Sequence, residues 1–299
     1  MKTDSSSPNQ ITDYLLTRAD YNLSQQSLNL KQSQVQDEMD FLGGIGRSFK
    51  IMSEYQVEDP FAPESPLVVN IGCLTGTAYM TGLRTYFTAY SPLKRTIQGA
   101  PMASWSAMSG SFGRKYRSTG LDDLVLTGRA ARPSILVLRQ GSDGPEISLD
   151  DAPDSMIGAV TPEKFKWLNE NYNQPEKRKY HAHFSVIGPA GENWDKVWYA
   201  CIVGSTQEQL MSGEDKFRFA GRLGMGSVLG SKNILAIVAY AEKDDYPKGD
   251  ERLKPINQEI GRGDQSKVYR HPMNRDGGGG TGRLAVSYTH LRAHETATY

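Results

Sequence analysis

The chain has 299 residues, with 34 basic and 34 acidic side chains and two cysteines, Cys73 and Cys201. That length suffices for one large domain or two small ones, and the zero net charge argues against a general polyanion binder such as a nucleic-acid coat. The cysteines are too few for a disulfide framework or a four-thiolate iron–sulfur or zinc site. No run of about 18 apolar residues offers a membrane span, and no leader pattern is visible, so a cytoplasmic, reduced setting is expected.

Residues 1–40 form a polar stretch rich in Ser and Gln. Within it, residues 14–17 and 27–30 read either as short strands around a turn or as part of a loosely ordered arm. From residue 41 to 242, short apolar runs alternate with glycine turns. Residues 67–71, 86–89, 124–127, 135–138, 184–187, 197–201 and 234–238 read as strands. A helix is expected over 47–55. Another is expected over 162–172, with Thr161 as N-cap and Pro162 at the first helical position. Two more begin near Ser111 and Leu223. Residues 140–154 are polar and turn-like. Strands and helices mix without strict alternation, which predicts an α+β fold. Residues 243–284 are charged and Gly/Pro-rich, and read as a linker or the lead-in to another domain.

Three glycine clusters share one design: glycines at a turn, an arginine close by, and a helix behind. They are Gly43-Gly44-Ile45-Gly46-Arg47, Ser109-Gly110-Ser111-Phe112-Gly113-Arg114, and Ala220-Gly221-Arg222-Leu223-Gly224-Met225-Gly226, which runs on to Gly230-Ser231-Lys232. Glycine lets backbone approach an anion closely, helix N–H groups can face it, and arginine adds a fixed charge. One such cluster usually reflects turn geometry alone. Three, each with an arginine, make anion binding a working reading. Gly230-Ser231-Lys232 has the wrong order for a Walker loop, and Gly224, Gly226 and Gly230 miss the dinucleotide spacing. Arg84, between a glycine turn and a strand, could be a phosphate ligand or an ordinary surface residue.

Other motifs are weaker. His181 and His183 could present two imidazoles on one strand face, but no third ligand lies near in sequence. Glu192 could be catalytic, although a turn-stabilising carboxylate is the simpler reading. Cys73 and Cys201 read as buried structural thiols.

Taken in order, the motifs resemble the N-terminal domain of the aldehyde ferredoxin oxidoreductase family. The stretches are Phe41-Leu42-Gly43-Gly44-Ile45-Gly46, Pro60-Phe61-Ala62-Pro63-Glu64-Ser65-Pro66-Leu67, Leu74-Thr75-Gly76-Thr77 and Thr81-Gly82-Leu83-Arg84. They continue with Ser109-Gly110-Ser111-Phe112-Gly113, Gly120-Leu121-Asp122-Asp123, residues 187–193, and residues 220–222 through 230–233. The resemblance covers 41–242. It implies a domain of mixed sheets and few helices that forms the base for two pyranopterin (molybdopterin) groups holding tungsten or molybdenum. Magnesium would bridge the pterin phosphates, partly through backbone carbonyls. Carried onto this sequence, the cofactor-binding positions are Arg84, Ala107, Ser109, Arg218, Phe219, Gly221 and Arg222, with Ala107 and Phe219 acting through their backbones. The chain departs from the common pattern at 107–109, where Ala-Met-Ser replaces Asn-Ser-Gly, and at Leu223, which replaces a frequent glycine.

The resemblance further implies oxidation of aldehydes to carboxylates, with electrons passed to ferredoxin or another iron–sulfur carrier. Small aldehydes or aromatic compounds are the expected substrates. Neither nucleic acid nor membrane is an expected partner, and a homodimer is compatible with it. The family's 4Fe-4S cysteines and its acid/base groups lie in later domains, so no catalytic or metal-ligating residue is assigned here. The chain is therefore expected to be truncated and inactive alone. Residues 285–299 read as an adapter-derived, unstructured tail, so His290 and His294 are not read as a zinc pair. Two alternatives stand: the same domain in an aromatic acyl-CoA (benzoyl-CoA type) reductase, and a non-catalytic phosphate- or nucleotide-binding module.

Overall fold

The computed structural model describes residues 15–77, 82–243, 251 and 253–262. The tail at 285–299 and its histidines lie outside these. The chain divides into two units. One comprises 1–77 and 82–246. The other comprises 78–81 and 247–299, and its described part includes one helix, Leu253–Arg262.

In the first unit the described residues form two six-stranded sheets, an α+β arrangement as expected. The strands of the first sheet are β1 (Leu15–Asn22), β2 (Ser27–Gln34), β3 (Leu67–Ile71), β4 (Thr85–Arg95), β5 (Pro101–Met108) and β6 (Asp123–Thr127). Their order is β2-β1-β6-β3-β4-β5, with only the β1–β6 pair parallel. The second sheet has β7 (Ser134–Gln140), β8 (Pro145–Asp151), β9 (Ala182–Val186), β10 (Ile202–Gly204), β11 (Arg218–Ala220) and β12 (Ile234–Tyr240), in the order β11-β10-β9-β12-β7-β8. Thus β5 and β11 each lie at the edge of a sheet. The β1–β2 hairpin places residues 15–34 in the first sheet, with β1 between β2 and β6.

Strands buried on both faces carry continuous apolar runs. β3 and most of β7 and β12 are of this kind, while β9 is buried throughout although His183 and Ser185 alternate with its apolar residues. Residues of both sheets join one core that includes Val69, Phe87, Leu124, Phe184 and Ile237. Helix α1 (Gly44–Met52) covers the other face of the first sheet, where Ile51 and Met52 pack on Val68 and Val125. The other helices of this unit are α2 (Ser111–Arg117), α3 (Thr161–Tyr172), α4 (Pro189–Glu192), α5 (Gln207–Ser212) and α6 (Met225–Ser231). Val160 holds the N-cap position of α3, and Thr161 already lies inside the helix.

Two sequence expectations fail locally. Residues 140–154 are not turns throughout, because 145–151 form β8. There Ile147 and Leu149 face the core while charged neighbours alternate outward. Residues 197–201 are not a strand. The Ala200 carbonyl accepts from Gly226 N–H at 3.0 Å, and Ala200 N–H donates to Ser227 Oγ at 3.1 Å. These backbone groups bind α6 instead of a ladder, and pairing begins only at Ile202.

Candidate functional site

The edges β5 and β11 bring distant segments together. Thr85 pairs with Met108 and Tyr86 with Ala107, so Arg84 and Ser109 sit just beyond the same end of the β4–β5 ladder. Thr75 Oγ1 donates to the Arg84 carbonyl at 2.8 Å. Gly110 follows with φ +114°, and a Cβ there would stand 3.1 Å from Cγ of Arg218 and 3.2 Å from the Ser205 carbonyl. Glycine is required because the β11 arginine passes over it. Ser111 Oγ accepts from Gln207 N–H at 3.1 Å, and Ser106 Oγ accepts from Arg222 N–H at 3.1 Å. The structure therefore joins the segments carrying Arg84, Ala107, Ser109, Arg218 and Arg222 at one junction. Phe219 and Gly221 lie exposed in the same β11 segment.

Arg84, Arg218 and Arg222 are exposed, and among the described residues no acidic partner pairs with them. At Gly221 a Cβ would meet, among the described residues, only Phe219 Cβ, 3.9 Å away, so the described chain leaves that space open. Segments that meet while carrying three exposed arginines, with open backbone at Gly221, suit a ligand with several anionic oxygens. The phosphates of a pyranopterin have that chemistry.

Not every glycine cluster shares this geometry. Arg47, in the first cluster, is buried and ion-paired with Asp123 Oδ2, and its guanidinium also lies 3.1 Å from Glu38. Asn70 Nδ2 donates to Asp123 Oδ1 at 3.2 Å and to the Gly44 carbonyl at 3.0 Å, while Ser48 Oγ donates to Asn70 Oδ1 at 3.0 Å. Burial raises the Asp123 carboxyl, against the pull of Arg47. Asp122 accepts from Thr17 N–H at 2.8 Å, so both acids of the Gly120-Leu121-Asp122-Asp123 motif hold the fold.

The far end of the third cluster is also structural. Cβ atoms at Gly224, Gly226 and Gly230 would stand 2.1 Å from the Trp198 carbonyl, 2.3 Å from that of Cys201 and 1.8 Å from that of Gly191. These glycines admit the protein's own backbone, which corrects the anion-binding expectation for them. Lys232 is buried, and its Nζ donates to the carbonyls of Ser65 at 2.6 Å, Pro63 at 3.3 Å and Gly128 at 3.4 Å. Burial, with Arg129 adding to it, pushes this ammonium down to about 7.

The remaining candidates also have structural partners, except that Cys73 is exposed and Cys201 only partly buried, against the expectation that both thiols are buried. Glu192 accepts from the buried Lys164 and from Gly158 N–H at 2.8 Å, fitting the turn-stabilising reading. His183 is buried, with Nδ1 2.9 Å from Ser205 Oγ, and His181 packs near the Tyr240 ring. Among the described residues, no three His, Cys, Asp or Glu side chains group as metal ligands, and no helix is long and apolar enough to cross a membrane. Sequence reading missed Ser91 and Ser106. Their only sequence signal is alternation within β4 and β5, which places small hydroxyls on inward faces.

The family model described as "Aldehyde ferredoxin oxidoreductase, N-terminal domain" matches residues 20–241. The chain belongs to this family. The tungsten-containing aldehyde ferredoxin oxidoreductase of Pyrococcus abyssi is 32% identical over 200 residues, covering 67% of this chain and 28% of that protein. The corresponding Pyrococcus horikoshii protein is 30% identical over 200 residues, with the same coverage. The aliphatic sulfonate oxidoreductase WOR-like subunit of Pyrococcus furiosus is 26% identical over 262 residues, covering 83% and 37%. Among solved structures, the active-site complex BamBC of benzoyl coenzyme A reductase, in complex with 1,5-dienoyl-CoA, matches with a TM-score of 0.65 at 24% identity. That match covers 82% of this chain and 33% of the other. The chain thus spans 28% of the length of the tungsten-containing relatives, and the BamBC likeness is one of fold.

Proposed function

We propose that this domain is the base on which a bis-pyranopterin cofactor sits in an oxidoreductase that converts aldehydes to carboxylates and passes electrons to ferredoxin. What supports the proposal is the meeting of the segments that bear Arg84, Arg218 and Arg222, with open backbone at Gly221, in a chain 32% identical to a tungsten-containing aldehyde ferredoxin oxidoreductase.

When bound, the pterin-held tungsten or molybdenum would supply the two-electron oxidation of the aldehyde, and a 4Fe-4S cluster would lie outside this domain. The chain's own residues bind and orient. Arg84, Arg218 and Arg222 neutralise phosphate oxygens. Ala107 and Phe219 offer backbone groups, Ser109 a hydroxyl, and Gly221 leaves room for close approach. Backbone carbonyls would serve a magnesium ion as oxygen donors, since hard cations take oxygen ligands. The identity to tungsten-containing relatives favours this reading over an aromatic acyl-CoA reductase.

The test is anaerobic expression with tungstate or molybdate in a host that makes the pterin. Metal analysis and pterin fluorescence then follow on wild type, Arg84→Ala and Arg222→Ala. Metal and pterin are expected with wild type and depleted in both variants. Their absence from wild type would sink the proposal, and phosphate binding without pterin would favour a non-catalytic module.

A further inference from the structure

Arg222 sits in a loop with an unusual backbone. Leu223 has φ +63° and Gly224 φ +74°, two consecutive left-handed residues, and the first carries a branched side chain. Such a conformation is strained for a non-glycine residue and persists only where its surroundings hold it. The loop is held at two points by buried hydroxyls. Ser106 on β5 is 2% exposed, and its Oγ accepts from Arg222 N–H at 3.1 Å. Ser91 on β4 is 1% exposed, and its Oγ donates to the Leu223 carbonyl at 2.8 Å while accepting from Leu93 N–H at 3.1 Å. On the other side, the Cβ direction of Gly224 points at the Trp198 carbonyl and at Pro92.

These bonds bracket Arg222. Its N–H and the next residue's carbonyl are fixed to two neighbouring strands of the first sheet, although Arg222 follows the edge strand of the second. Ser106 also directly precedes Ala107, so one strand supplies the clamp and the neighbouring cofactor position. With the peptide before Arg222 and the peptide after Leu223 both held, the loop backbone that carries the Arg222 side chain is constrained before any anion arrives. Preorganisation of this kind lowers the ordering cost of binding.

We propose that Ser106 and Ser91 are positioning residues that clamp the Arg222 loop to the first sheet and so aim its guanidinium at the phosphate site. The proposal rests on the reading of Arg222 as a phosphate ligand given above. Neither serine needs to touch the ligand.

The test uses the full 299-residue chain with inorganic pyrophosphate as probe, followed by calorimetry, together with deuterium exchange at the Arg222 amide. Ser106→Ala should weaken pyrophosphate binding about fivefold, the worth of one neutral hydrogen bond. It should also abolish protection of the Arg222 amide, while Ser106→Thr keeps both. In an Arg222→Ala background, Ser106→Ala should cause no further loss, because its effect passes through the arginine. An equal loss in that background would overturn the proposal. So would unchanged binding in Ser106→Ala when Arg222→Ala alone weakens it, and the phosphate reading would then stand without the clamp. If wild type fails to bind pyrophosphate, or binds it no better than Arg222→Ala, the phosphate reading falls and the clamp with it. Should Ser106→Ala fail to fold, the same comparisons are made with Ser91→Ala.

Discussion

Lys232 Nζ lies 2.6 Å from the carbonyl oxygen of Ser65, a residue 167 positions earlier in the chain. This bond, with longer ones to Pro63 and Gly128, fixes the 63–65 segment and the turn after β6 to the end of α6. It gives the Pro63-Glu64-Ser65-Pro66 and Gly230-Ser231-Lys232 motifs a shared structural role.

Lys232 has a pH signature. Burial holds its ammonium at about 7 in the folded chain, against about 10.4 for a free lysine. Between these values the unfolded chain binds more protons, so stability should rise as pH rises from about 7 to about 10, and the folded state is penalised below that window. Lys232→Met should flatten this rise. It also removes the two N–H donors that the neutral amine offers the surrounding carbonyls at pH 9, so there it should be less stable by about 1–3 kcal/mol, with the gap narrowing toward pH 6. Urea melts across that range measure both. A parallel pH dependence in variant and wild type would contradict the assignment.

The Arg47–Asp123 pair predicts the opposite pH trend. Arg47→Met leaves a fully buried carboxylate with its Asn70 hydrogen bond and the charge of Arg18 but no ion-pair partner, and breaking a buried pair from one side typically costs about 3–5 kcal/mol. The folded-state pKa of Asp123 is already raised, and removing the arginine raises it further above the unfolded value. The penalty is therefore present at neutral pH and is relieved as pH falls through the folded value and the carboxyl takes up a proton. The gap between Arg47→Met and wild type should shrink from pH 7 toward pH 4 in denaturant melts.

How much of this was legible in sequence depended on burial. β3, β6, β7 and β12 announced themselves as apolar runs, because strands in the middle of a sheet are covered on both faces. β5 and β8 lie at sheet edges, one rich in serine and alanine and the other alternating apolar with charged residues, and neither makes such a run. At the site, the arginines could be picked out by their glycine neighbours, but the glycines' own roles could not. Gly221 faces open space and Gly230 faces the Gly191 carbonyl, a difference that depends on how α6 packs on α4. The serine clamp was equally hidden, because it joins residues 116 and 132 positions apart through single hydroxyls.

The arginine cluster makes a prediction about salt. If Arg84, Arg218 and Arg222 neutralise one anionic ligand, their exposed charges are screened over about 8 Å at physiological ionic strength. Pyrophosphate affinity should fall steeply with added salt. Arg84→Ala and Arg218→Ala should each weaken binding by about tenfold and flatten that dependence, because a bond to a charged group is worth about 1.5–3 kcal/mol. Calorimetric titrations at several salt concentrations read both quantities. A salt slope unaffected by either substitution would remove those residues from the site.

The two kinds of glycine should separate cleanly under one substitution. Gly230→Ala would place a methyl 1.8 Å from the Gly191 carbonyl oxygen, a contact that only backbone movement relieves, and α6 is buried throughout. Overpacking of this sort costs about 1–3 kcal/mol or more, so a clear drop in melting temperature is expected. Gly221→Ala meets nothing closer than 3.9 Å and should leave the melting temperature nearly unchanged. Its methyl would instead occupy the space beside the arginines, so pyrophosphate binding should weaken in a protein that is otherwise stable. A destabilised Gly221→Ala with intact binding would reverse the roles assigned here to the two ends of the third glycine cluster.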